Sequence, residues 1–65
     1  MKINAVKIET LLAGLGMNKT DLARLAATSP QSISTILRRG SCEPKTIGKL
    51  ARALSVPIED LLMEE

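Results

Sequence analysis

No phenylalanine, tryptophan or tyrosine occurs in the 65 residues, yet 45% of them are apolar. A core must therefore be assembled from Leu, Ile, Val, Ala and Met. Aliphatic stripes on short helices interlock without large rings. A β-sandwich or barrel of this size calls for an alternation of β-branched and aromatic residues that is not seen here. The length suits one small domain, near the lower limit at which an uncrosslinked chain folds alone. Residues 1–65 are accordingly expected to form a single all-α domain.

Helical spacing recurs along the chain. Ile8, Leu11, Leu12 and Leu15 fall at i, i+3, i+4 and i+7, which predicts a first helix over about residues 4 to 14, closed by Gly14 and Gly16. Asn18 is a suitable N-cap, and Asp21 in the following turn favours the positive helix end. A second helix then runs to about Ala26, with Leu22, Ala23, Leu25 and Ala26 as its apolar side. The small Ala23 lets a crossing helix approach closely.

After the turn at Ala27-Thr28, Ser29 caps a third helix that has Pro30 at its first position and reaches about Arg38. On its wheel Ile33, Ile36 and Leu37 lie opposite Gln31, Thr35 and Arg38, with Ser34 beside the polar group. A face that needed only solubility would more often carry Glu and Lys. Gln, Ser and Thr are better suited to touching base edges. Residues Arg39 to Pro44 read as a loop. Ile47, Leu50, Ala51 and Leu54 mark a fourth helix from about Lys45 to Leu54, and Ile58, Leu61 and Leu62 a fifth from about Ile58 to Met63. Five short helices, with the third carrying the polar face, are the expected architecture.

Composition excludes several functions. Cys42 stands alone and there is no histidine, so neither an internal disulfide nor a His/Cys metal site is available. No cofactor is implied. No nucleophile–base arrangement or phosphate-cradling glycine loop supports an enzyme. Lys2, Lys7 and Glu9 interrupt any signal-peptide core, and no apolar run is long enough to cross a bilayer, so a reduced, cytoplasmic protein is expected. Charge is asymmetric despite a net value of only +2. Residues 17 to 52 carry seven Lys/Arg against Asp21 and Glu43, while Glu59, Asp60, Glu64 and Glu65 follow with no base. A basic middle suits a polyanion partner.

The run from Met17 to Leu62 resembles the helix-turn-helix domain of the Cro/CI group of phage-type repressors, the XRE family. The resemblance is carried by DLARLA for the second helix, Ser29 to Ile36 for the third, the Gly40 to Pro44 loop and KLARALSVPIEDLL. Each piece is weak alone; their order and spacing are specific. The chain departs from the common pattern at Lys19, often Gln, at Leu37, often Glu, in a loop one residue longer, and at Ala27, usually Gly. Alanine disfavours a positive φ, so a slightly reshaped turn is expected there.

The resemblance implies a lambda-repressor-like fold and a sequence-specific DNA-binding transcriptional regulator, a repressor, with its third helix in the major groove of double-stranded DNA. Gln31, Thr35, Ser34 and Pro30 are then the expected base-reading residues, Gln31 foremost because its amide can bond both N6 and N7 of adenine. Lys19, which combines a cation with helix-terminal N–H groups, Arg38, Arg39, Ser41, Lys45 and Thr46 are the expected phosphate contacts. So small a domain reads few bases, and Val56, Ile58, Leu61, Leu62 and Met63 offer apolar surface for a homodimer on a palindromic operator. The competing reading is an antitoxin-like interaction module that grips a partner protein and binds its own operator secondarily.

Overall fold

Each helix begins where a side chain or a proline satisfies its first turn. The computed structural model describes residues 1–63 and contains α1 (Ala5–Leu15), α2 (Lys19–Leu25), α3 (Pro30–Arg39) and α4 (Pro44–Leu54), then one 3-10 turn, Ile58–Leu61. Asn4 opens α1 by accepting from the Lys7 N–H at 3.0 Å. Asn18 and Asp21 form a reciprocal capping box on α2, at 2.8 and 3.1 Å. Ser29 Oγ accepts from the Ser32 N–H at 3.1 Å at the start of α3. Glu43 makes no capping bond, and α4 starts instead on Pro44, one residue earlier than expected.

Three of the four α-helix ends share one closure. After α1, α2 and α4 a residue turns left-handed, and the next N–H reaches back into the helix: Met17 to Leu12 O at 2.9 Å, Thr28 to Ala23 O at 2.8 Å, Val56 to Ala51 O at 3.0 Å. This is the Schellman geometry. Of these three ends glycine supplies the left-handed residue after α1, at Gly16; Ala27 (φ 55°) and Ser55 (φ 58°) supply it after α2 and α4. The expectation of a reshaped turn at Ala27 is therefore corrected. Two backbone hydrogen bonds, Ala27 to Arg24 O and Thr28 to Ala23 O, hold the ordinary turn, against a left-handed strain of about 1–2 kcal/mol.

Ile3, Ile8, Leu12, Leu22, Ala23, Ala26, Ile33, Ile47, Leu50, Ala51, Leu54 and Leu61 form one buried cluster, with no polar or charged residue buried among the described residues. α2 packs on α3 and α4, and the terminal turn packs on α1 and α4. Three residues of the expected stripes lie outside, Ile58 at 38% exposure among them. Leu15 and Leu25 are 54% and 61% exposed. Gly14 lies inside α1, which runs to Leu15, and Gly16 alone closes it.

The last element is shorter than the helix expected from Ile58 to Met63. The all-α class stands, but with four α-helices and a single tight turn. The reason lies at the other end of the chain. Residues 1–3 run extended between the loop after α3 and the residues after the terminal turn. Ile3 N–H donates to Gly40 O at 2.9 Å and Cys42 N–H to Met1 O at 3.0 Å on one side. On the other, Asn4 N–H donates to Leu61 O at 2.9 Å and Met63 N–H to Lys2 O at 3.1 Å. The bridge between Ile3 and Leu62 requires extended backbone, and Leu62 adopts it (φ −86°, ψ 147°), so the helix cannot continue. Ile3 is wholly buried beneath this pairing. No described helix is long and apolar enough to cross a membrane.

Candidate nucleic-acid interface

The orientation of α3 follows from three aliphatic side chains. Ile33 is 1% exposed, and Ile36 and Leu37 are half-buried against the same cluster. Because these occupy one side, Pro30, Gln31, Ser34 and Arg38 are exposed and Thr35 is half-buried at the margin. Ten residues make a rod of about 15 Å, long enough to lie in a major groove.

A concave surface opens between α3 and the start of α4. Of the residues expected from the sequence, it gathers Gln31, Thr35, Arg39, Ser41 and Thr46. Thr28, Ser32, Cys42 and Glu43 line it too. Pro30, Ser34 and Arg38 are not part of that lining; they share the other edge of α3 at intervals of four residues. Lys45 is exposed on the first turn of α4, outside it. Lys19 stands elsewhere, in a hollow beside α1, where its Nζ is 3.9 Å from Glu9 Oε1 with both side chains about half exposed. A surface pair of this kind contributes about 0–1 kcal/mol.

Arg39 is better placed than the sequence suggested. It is the last residue of α3 rather than the first of a loop. It therefore continues the row Gln31, Thr35, Arg39, one residue per turn. Gly40 (φ 74°) then ends the helix, its N–H on Ile36 O at 2.9 Å. Ser32 was missed; its Oγ accepts from the Ser29 hydroxyl at 2.9 Å. Its place one turn after Thr28 and just under one turn before Thr35 was the available signal. Glu43 was missed as well, and it sets a carboxylate in a surface otherwise supplied with Arg39.

Cys42 is half-buried in the same surface. Burial pushes its thiol pKa up, the Met1 ammonium pulls it down, and Glu43 pushes it up again, for a net rise. The neutral thiol therefore dominates at neutral pH, which disfavours nucleophilic chemistry. No group of three or more His, Cys, Asp or Glu among the described residues is arranged to hold a metal ion.

Residues 7–63 match the Cro/C1-type HTH DNA-binding domain. The chain belongs to this family. The match begins inside α1 and takes in both helices of the helix-turn-helix, α2 and α3, together with the groove-lining start of α4. No curated protein and no solved structure matches the chain significantly. In this Cro/C1-type domain the residues expected at a dimer contact divide. Leu61 is wholly buried in the core, Val56 and Leu62 are half-buried against it, and Ile58 and Met63 are 38% and 48% exposed. Glu59 is exposed and Asp60 half-buried; Glu64 and Glu65, which complete the acidic end, lie outside the described residues.

Proposed function

We propose that this Cro/C1-type protein is a sequence-specific transcriptional repressor that reads the major groove with α3, as a homodimer on a palindromic operator. The observation that carries the reading is the outward polar face of α3. No described residue hydrogen-bonds the Gln31 amide, so its donor and acceptor are free for both N6 and N7 of an adenine. Thr35, one turn on, offers a hydroxyl to a base edge or a methyl to a thymine. Ser34 and Pro30 reach the neighbouring strand from the other edge of the helix. Arg39, Ser41 and Thr46 fix the register on backbone phosphates at one side of the groove, with Arg38, Lys45 and Lys19 on the flanks. Lys19 exchanges its weak pairing with Glu9 for a phosphate.

The dimer rests on Ile58 and Met63, with Val56 and Leu62 at their margins. Two copies related by a two-fold axis present two α3 helices to half-sites about 34 Å apart. Selection of bound sequences from a random duplex pool with the purified protein tests the proposal. The expected outcome is a palindromic motif with half-sites about one helical turn apart. A pool that shows no enrichment rules out sequence-specific reading.

A further inference from the structure

Residues 1–3 stand outside the helical packing, yet their backbone is held from both sides. Lys2 and Ser41 oppose each other in an antiparallel bridge, so their side chains project on the same face. Ile3, the next residue along, points the other way into the core and is fully buried. Lys2 is thereby turned outward on the side of Ser41. There Lys2, Arg39 and Ser41 line one hollow, and Arg39 and Ser41 are shared with the adjoining groove between α3 and α4. The two concavities thus meet along Arg39 and Ser41. No acidic residue lines the Lys2 hollow among the described residues, whereas Lys19 already has Glu9 at 3.9 Å.

Two cations and a hydroxyl lining one hollow are the chemistry of a phosphodiester site. We propose that Lys2, together with Arg39 and Ser41, binds a DNA backbone phosphate at the outer edge of the groove that α3 reads. The proposal rests on the DNA-binding function above. It adds a segment that no helix of the helix-turn-helix contains. Because the Lys2 carbonyl accepts from Met63 and the flanking Ile3 N–H donates to Gly40, only the side chain has to be ordered on binding.

The test is fluorescence anisotropy on a selected duplex and on a random duplex between 50 and 200 mM salt, with wild type, Lys2→Ala, Lys2→Arg and Lys7→Ala. Lys7 is an exposed cation on α1 that does not line the hollow. Lys2→Ala should weaken both duplexes by the same factor and reduce the salt slope by about 1 per bound protomer. Lys2→Arg and Lys7→Ala should keep the wild-type slope. A Lys2→Ala slope equal to wild type, or an equal loss in Lys7→Ala, overturns the site while leaving DNA binding standing. A flat wild-type slope on both duplexes overturns the DNA reading itself. Inorganic phosphate titrated at matched ionic strength separates the remaining source. Saturable phosphate binding, read by calorimetry, only in proteins that retain Lys2, with the duplex affinity of Lys2→Ala unchanged, would assign the hollow to a small free anion and overturn the backbone contact.

Discussion

Ala27→Gly isolates one backbone strain from everything else in the fold. Ala27 holds φ 55° at the turn between α2 and α3, where it completes the Schellman closure of α2. A Cβ in that region meets the carbonyl oxygen and costs about 1–2 kcal/mol. Glycine relieves the strain but adds about 0.4–1 kcal/mol of unfolded-state freedom. Ala27 is exposed, so its methyl brings little burial to lose. The difference is a net stabilisation of roughly 0.5–1 kcal/mol. For a domain this small it raises Tm by about 2–8 °C. Thermal melting by circular dichroism at 222 nm, paired with urea unfolding, reads the effect, with the m-value unchanged. Gly40→Ala is the reverse experiment at φ 74° and should lower Tm by a comparable amount. A Tm for Ala27→Gly at or below wild type would refute the strain argument.

Three further outcomes follow from the same geometry. Glu43→Gln removes the carboxylate from the α3–α4 groove and should strengthen binding to specific and random duplexes alike, measured by titration at constant salt. Ile3→Val removes one methyl from a fully buried site and should cost about 0.5–1.5 kcal/mol in urea unfolding, although the sequence places Ile3 in no helical stripe. The proposed dimer predicts that wild type sediments as a dimer and the double variant Ile58→Ser/Met63→Ser as a monomer at the same concentration, with its melting temperature little changed, because both side chains are already substantially exposed.

Much of the scaffold was legible because its signals are local. Asn18, Ser29-Pro30 and Gly40 mark helix boundaries through their own hydrogen bonds or dihedral limits, and the structure places them there. The α3 wheel separated Ile33 from Gln31 correctly, since burial on one side dictates exposure on the other. What escaped was non-local. Three extended residues at the start of the chain have no periodicity, so the pairing of Ile3 with Gly40 and Leu62 left no trace in the pattern. The same pairing shortened the last helix to one turn. Leu25 fits an apolar stripe by spacing, but Leu22, Ala23 and Ala26 define the buried face and leave Leu25 at its side, lining an open hollow with Lys49, Arg52 and Ala53. Arg39 was taken from α3 because the breaker Gly40 adjoins it, although a left-handed residue just after a helix terminates it without shortening it.

The central claim is sequence-specific binding of duplex DNA through α3, and salt-resolved affinity tests it most directly. The selected duplex and a scrambled duplex of equal length are titrated between 50 and 200 mM salt. A dimer that neutralises about 6–8 phosphates predicts a log–log slope of roughly −5 to −7 on the selected duplex. The scrambled duplex should bind at least about 10³-fold more weakly near physiological salt. Replacing Gln31 by Ala should cost about 1–3 kcal/mol on the selected duplex, with almost no loss on the scrambled one. Equal affinity of wild type for the two duplexes, or a slope near zero, would contradict the account.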